Sequence, residues 1–309
     1  MGAYILRRLV ATVPILFGVS VLVFGILHAV PGDLVRLIAV RESAAITPAQ
    51  EERIRHQLGL DRPLAVQYAA FLGRAAVGDL GRSFYTNRPV AKSVLEQYPA
   101  TLQLAGAALV FAVVVGGGLG LAAAVRHNTW IDNGAMVFSL GGLSIPIFWS
   151  GLLLIYLFAV RLRWVPIFGG LGWKALVLPA IALGYDAAAF IARMVRSSVL
   201  EVLRREYVLI AHAKGLSERT VIFRHVLKAA MIPIVTLIGL NAGRLLGGTV
   251  VVETVFARQG IGRLAVDAVL YKDYFLVQGI VLLAALTYVL LNLAIDVSYA
   301  WFDPRIHYQ

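Results

Sequence analysis

The chain has 309 residues, 60% of them hydrophobic and 15% charged, with a formal net charge of +11 and no cysteine. Soluble domains carry about 45–50% apolar residues; here the excess lies in six long runs of lipid-spanning length, which exclude a nucleic-acid reader and make the positive balance a matter of membrane topology. Without cysteine, disulfides, thiolate metal sites and cysteine catalysis are excluded.

A bilayer core of about 30 Å takes roughly 20 mostly apolar residues in a helix. Such runs fall at 9–30, 102–125, 134–160, 175–192, 229–252 and 275–295. Helices are predicted because lipid offers the backbone no hydrogen-bond partners, and the alternating segments of about ten residues that build a barrel are missing. The first run exceeds the about 7–15 apolar residues of a signal peptide and no small-x-small site follows, so it is expected to be a span. Pro146, Pro179 and Pro233 are positions at which spans could kink. Gly116-x-x-x-Gly120 and Gly243-x-x-x-Gly247 match a weakly specific close-packing pattern.

Lysine and arginine set the orientation. With the N-terminus inside, the inner segments hold Arg7, Arg8, Arg126, Arg193, Arg196, Arg204, Arg205, Lys214, Arg219, Arg224, Lys228 and Arg305. The short outer loops hold Arg161, Arg163, Lys174, Arg258, Arg263 and Lys272. Both termini are therefore expected to be cytoplasmic.

Residues 31–99 form an extracytoplasmic insert. Thr47 is expected to cap a helix that starts at Pro48, carries Glu51 and Glu52 in its first turn and ends near Leu58 at Gly59. A second helix is expected after Pro63, with Gln67, Tyr68, Phe71 and Leu72, and Gly78-Asp79-Leu80-Gly81 is turn-like. Three divisions are thus expected: 1–30, the N-terminus and first span; 31–99, the insert; and 100–309, a five-helix core containing a cytoplasmic hairpin at 193–228.

That hairpin is too polar to span. Leu200, Leu203, Tyr207, Ile210 and Ala211 recur at three- and four-residue spacing and are expected to form one apolar stripe. Gly215 suits the C′ position that ends a helix. Ser217 suits the N-cap of the next, with Glu218 in its first turn. A stripe on a protruding hairpin needs burial, either against the protein's own spans or in a partner.

Ionisable groups within spans cost about 2.5–3.5 kcal/mol each at a helix centre and so suggest buried roles. Asp186 lies roughly 16 Å, and Arg244 roughly 12 Å, from the outer ends of their spans at ~1.5 Å per residue. They are expected to pair, or both to face a translocation pathway where peptide termini need opposite charges, with Asn241 one turn from Arg244. A purely structural ion pair between helices is the competing expectation. Asp296 and Glu253, near span ends, are expected to be wet.

No phosphate-binding G-x-x-x-x-G-K-[ST] loop is present, so the chain is not expected to bind ATP. The six histidines form no i, i+4 ligand pair for a metal, and no local nucleophile signature points to an enzyme. A self-sufficient secondary transporter or channel would show inverted repeats or ionisable relays; two buried charges and no clear repeat are found.

The stretch Glu206-Tyr207-Val208-Leu209-Ile210-Ala211-His212-Ala213-Lys214-Gly215-Leu216-Ser217 resembles the coupling loop of ABC-importer permeases in their dipeptide/oligopeptide variant. Pro31-Gly32-Asp33, Leu58-Gly59-Leu60-Asp61-Arg62-Pro63-Leu64, Gly78-Asp79-Leu80-Gly81-Arg82-Ser83, Pro99-Ala100-Thr101-Leu102, Val252-Glu253-Thr254-Val255-Phe256 and Asp303-Pro304-Arg305 resemble the same family, in order along nearly the whole chain. Departures occur: Leu209, Ile210 and Ala211 stand where the superfamily pattern begins Glu-Ala-Ala, and Arg258-Gln259-Gly260 where the family often has Trp-Pro-Gly.

The resemblance implies an all-α polytopic fold with six transmembrane helices, type I ABC-importer permease-like, in a bacterial inner membrane. It further implies half of a translocation pathway for di- or oligopeptides, paired with a second homologous permease subunit. Two ATPase subunits would use ATP and magnesium, while this chain binds no cofactor or metal, and a solute-binding protein would deliver the substrate outside. Tyr207, Ala211, Ala213, Lys214, Gly215 and Ser217 are the expected ATPase-coupling residues, and Asp186, Asn241 and Arg244 the expected substrate pathway. Similar permeases carry dipeptides, longer peptides, glutathione-like molecules and nickel chelates, so the cargo stays open.

Overall fold

A computed structural model describes residues 2–29, 48–59, 61–165 and 172–302. Pro31-Gly32-Asp33, the Thr47 cap, Leu60, the Asp296 side chain and Asp303-Pro304-Arg305 lie outside the described residues. Among those described there are eleven helices and no strand beyond a single bridge between Arg82 and Pro89. They are α1 (Gly2–Ala29), α2 (Pro48–Leu58), α3 (Leu64–Ala76), α4 (Val90–Val125), α5 (Trp130–Ser144), α6 (Ile147–Arg161), α7 (Lys174–Leu203), α8 (Glu206–Ala213), α9 (Glu218–Val255), α10 (Ile261–Leu270) and α11 (Tyr274–Phe302).

Five helices, α1, α4, α7, α9 and α11, are each long and apolar enough to cross a membrane. The run expected as one span at 134–160, with Pro146 as a possible kink, is the bent pair α5–α6, which turns by 110° at Ile145–Pro146. Proline explains the break. Its ring pushes the preceding residue out of the helical region, and Ile145 is accordingly extended, with φ −90 and ψ 122. Counting the bent pair as one crossing gives six.

The chain divides into two compact units. One comprises Pro99–Arg263 and the described residues from Leu290 onward. Its centre is α7, which packs against α4, α5, α6 and α9. Alanines make this possible: Ala182, Ala187, Ala188, Ala189 and Ala192 are all buried. Helices in lipid associate through close van der Waals packing of small residues. At Gly116 and Gly120 any Cβ would collide with the α7 backbone at Ala188 and Ala192. The first glycine pair noted in the sequence is therefore a helix–helix contact, whereas Gly247 of the second meets nothing within 4 Å.

The other unit comprises Gly2–Tyr98, in its described residues, and Leu264–Val289. Tyr68 of α3 bonds Ser20 of α1 at 2.7 Å, and its ring meets Phe24 edge-on at 5.2 Å. The Gly78–Gly81 turn is built by two glycines at φ 82 and 81 and by Asp79, whose Oδ1 accepts the Gly81 N–H at 2.9 Å. Asp273, fully buried, ties this loop to the start of α11. It accepts the Ser83 hydroxyl at 2.5 Å, the Tyr85 N–H at 3.1 Å and the Leu276 N–H at 3.2 Å.

Candidate functional site

Two features stand out in the first unit. One is the corner between α7 and α9. Residues 193–203 continue α7, and the chain breaks at Arg204–Arg205 before α8 begins. That break resets the helical phase, so the single stripe expected through Leu200, Leu203, Tyr207, Ile210 and Ala211 does not form. Val208 and Ala211 are buried and join the core with Val199, Val221 and Val226. Tyr207, Leu209 and Ile210 face outward at 44%, 63% and 54% exposure. Ala213, Lys214, Gly215 and Ser217 are exposed as well. Beside Tyr207 lies an open groove of about 430 Å³, rimmed by Arg224, His225 and Lys228.

Gly215 ends α8 as the sequence suggests. It has φ +77, its N–H bonds the His212 carbonyl at 2.9 Å, and the Leu216 N–H bonds the Ala211 carbonyl at 3.3 Å. These two bonds form a Schellman motif, whose left-handed position glycine fills without steric cost. The Ser217 hydroxyl does not cap the next helix. It bonds Thr220 Oγ1 at 2.9 Å. Instead His212 closes the corner, with one ring nitrogen 3.0 Å from the Val208 carbonyl and the other 2.8 Å from Glu218.

The second feature is the intramembrane ion pair. Arg244 Nη2 donates to Asp186 Oδ2 at 3.0 Å, joining α9 to α7. Its guanidinium sits 4.8 Å above the Phe190 ring and reaches Asn241 Oδ1 at 3.4 Å. Asn241 is buried and also bonds the Leu237 carbonyl at 2.9 Å. Arg244 keeps 56% of its side chain exposed and Asp186 25%. The pair is therefore available to a third, charged group.

Two further carboxylates are buried, Glu253 against expectation and Asp132, which the sequence reading did not single out. Glu253, expected to be wet, is fully buried. It accepts the Thr101 hydroxyl at 2.7 Å and the N–H groups of Gly262 at 2.8 Å and Arg263 at 3.1 Å. It thereby satisfies orphan donors in the first turn of α10. Gly260 gives room, since a Cβ there would overlap the carboxylate. Asp132, 2% exposed, takes a two-pronged bond from Arg196 at 2.5 and 2.8 Å and further bonds from His127 and the Asn128 N–H, both at 3.0 Å. Both partnerships bridge distant segments, which a local pattern does not reveal. Among the described residues no group of three metal-ligating side chains occurs.

A bundle of membrane-spanning helices with an anchored corner helix and an opposed charge pair within its spans is an architecture that suits a membrane permease. Residues 1–105 match the N-terminal model, and residues 116–308 the main model, of the binding-protein-dependent transport system inner membrane component. The glutathione transport system permease protein GsiC of Escherichia coli strains CFT073 and K12, and of Shigella flexneri serotype 5b, is 44% identical over 306 residues, 99% of each chain. In fold, the chain resembles the MetNI methionine ABC transporter in its inward-facing conformation, with a TM-score of 0.54 at 20% identity over 68% of this chain and 96% of that one. An amino acid ABC transporter gives 0.51 at 18% over 69% and 93%. The chain belongs to the family of binding-protein-dependent transport system inner membrane components: it is a membrane-spanning permease subunit of an ABC importer, multi-pass in the inner membrane.

Proposed function

We propose that this permease subunit forms half of a pathway for short peptides and is driven through the α8 corner by a separate ATPase subunit. One observation carries the proposal. Val208 and Ala211 lock α8 into the unit's core, while Tyr207, Leu209 and Ile210 on the same eight-residue helix are left exposed, Tyr207 beside a basic rim. Exposed apolar patches edged by polar groups mark protein interaction sites, and large aromatic anchors dominate them. A helix buried on one side and docked on the other transmits displacement to α7 and α9, the spans that flank it.

The cargo assignment rests on the opposite charges of Arg244 and Asp186 within the spans and on relatives named for glutathione transport. A peptide's carboxylate and ammonium termini match those two charges. ATP and magnesium belong to the ATPase subunits in this scheme, and the chain itself performs no catalysis. Tyr207, Ala211, Ala213, Lys214, Gly215 and Ser217 serve coupling, with Ala211 as an anchor rather than a contact. Two ATPase subunits, a second permease subunit and an external solute-binding protein complete the assembly, and both termini face the cytoplasm.

Because the chain has no cysteine, single cysteines at Leu209 and Ala213 give a clean crosslinking test. Capture of an ATPase subunit, together with binding-protein-dependent dipeptide uptake by the assembled complex in vesicles, is expected. Uptake by the lone chain in liposomes, with no capture, would instead identify a self-sufficient transporter.

A further inference from the structure

Only Lys214–Ser217 separate α8 from α9, so whatever holds that short corner sets how a push on α8 reaches the span. Among the described residues, one side-chain hydrogen bond joins the two helices: His212 Nε2 lies 2.8 Å from Glu218 Oε2. The Nδ1 of the same ring lies 3.0 Å from the Val208 carbonyl. The Ser217 hydroxyl bonds Thr220 and gives the first turn of α9 no cap. Both partners are accessible, the His212 side chain at 40% and the Glu218 side chain at 60% exposure. Water can therefore take a proton from the pair or return it.

Both ring nitrogens face acceptors. A carbonyl oxygen and an ionised carboxylate can only accept, whereas a neutral imidazole has one donor nitrogen and one acceptor. The corner therefore holds an imidazolium, or a neutral ring bonded by a protonated Glu218. Either way the pair carries one proton more than a neutral ring beside a carboxylate. Loss of that proton sets the Nε2 lone pair against negative oxygen, and the tie between the helices becomes a repulsion. Histidine is the side chain that changes charge between about pH 5 and 8. Neighbouring charges do not replace the tie. The start of α9 that packs on α8 carries Arg224 and His225, which line the groove beside Tyr207. Glu206, Lys214 and Arg219 are exposed and form no ion pair with His212 or Glu218 among the described residues. At the inner end of α7, Glu201 bonds Arg205 at 2.6 Å, and Arg204 is exposed.

We propose that His212 and Glu218 form a proton-operated latch. At lower pH the α8–α9 corner is closed around the extra proton; as pH rises, its loss loosens the corner and weakens the transfer of work from α8 to α9. The effect on transport rests on the coupling role of α8 proposed above, whereas the latch itself rests on the two acceptors that face the ring.

The chain has no cysteine, so cysteines introduced at Glu206 and Phe223, both exposed, take nitroxide labels on α8 and α9. Pulsed electron paramagnetic resonance on the assembled transporter in nanodiscs then reads the corner. Stimulation of ATP hydrolysis by the solute-binding protein reads coupling without knowledge of the cargo. From about pH 6 to about pH 8 the distances between labels should broaden. Stimulation should fall about two- to fivefold relative to His212→Arg, the range of one partly exposed ion pair. His212→Arg keeps its cation at every pH, and Glu218→Gln offers an amide that bonds either state of the ring. Both should hold narrow distances throughout, and His212→Leu should stay broad throughout. Distances that ignore pH in the parent, or a pH response that persists in His212→Arg, would overturn the latch. So would constant stimulation across a corner that broadens while α8 still captures the ATPase subunit. The coupling role is decided separately: if cysteines at Leu209 and Ala213 capture no ATPase subunit yet the distances follow pH, that role falls and the latch stands.

Discussion

Thr101 donates a 2.7 Å hydrogen bond to Glu253 across 152 positions of sequence, and the same Thr101 oxygen accepts the N–H of Ile261 at 2.9 Å. Glu253 in turn holds the N–H groups of Gly262 and Arg263. One buried carboxylate thus organises the end of α9, the start of α10 and the flank of α4. Glu253→Ala leaves a hydroxyl and two amides without their acceptor. Bonds to a charged group contribute about 1.5–3 kcal/mol each, so a loss of about 3 kcal/mol or more is expected, with Glu253→Gln milder because it keeps an acceptor oxygen. Thermal unfolding in detergent measures both, and an Ala variant as stable as the parent would contradict the assignment.

The Asp186–Arg244 pair separates a structural role from a transport role. Asp186→Asn and Arg244→Gln should each lower peptide uptake at least tenfold while the protein still inserts and assembles. Exchanging the residues, Asp186→Arg with Arg244→Asp, should retain assembly but not restore uptake if the charges orient a peptide. Full uptake in either single variant removes the pair from the pathway.

At Gly215 the backbone is left-handed, which costs an L-residue roughly 1–2 kcal/mol, yet a Cβ there meets nothing within 4 Å. Gly215→Ala should therefore strain the corner mildly and leave coupling measurable. Gly215→Arg adds bulk on the surface offered to the partner and should uncouple ATP hydrolysis from uptake with insertion intact. Normal uptake by the arginine variant would place the contact elsewhere.

The mirror case is Ala257, which carries a non-glycine side chain at φ 49 where α9 ends. Its N–H bonds the Thr254 carbonyl at 3.2 Å and the next N–H, of Arg258, bonds that of Glu253 at 2.8 Å, the Schellman pattern again. Glycine relieves about 1–2 kcal/mol of left-handed strain but returns about 0.4–1 kcal/mol of freedom to the unfolded chain. Ala257→Gly should stabilise by about 0.5–1 kcal/mol, seen as a rise in Tm; a fall would mean the side chain packs favourably.

Asp132 and Arg196 join the start of α5 to α7 through a two-pronged bond. With Asp132 buried and Arg196 25% exposed, removal of the arginine strands a buried carboxylate, whereas removal of the carboxylate leaves a charge that can reach water. Arg196→Met should therefore destabilise more than Asp132→Asn, by about 1 kcal/mol or more. Chemical unfolding of the two variants in detergent gives the comparison, and the reverse order would contradict it.

How much of this was legible beforehand follows the range of each interaction. The spans were legible because lipid imposes a length and a composition on every crossing, and the Gly215 corner because glycine's tolerance of positive φ is a property of one residue. Asp186 and Arg244 were noticeable because a charge within an apolar run is costly wherever it lies. By contrast, the face α8 buries depended on a break at Arg204–Arg205 that shifted the helical phase, and Pro146, legible as a possible kink, did not by itself give the 110° turn that makes two helices of that crossing. Glu253 gave no local sign of burial, since its partners Thr101 and Gly262 come from other elements. The sequence alone determined that this chain spans a membrane, with which segments, and to which family it is similar. Tertiary structure decided which polar groups are buried, because burial depends on what other segments bring alongside.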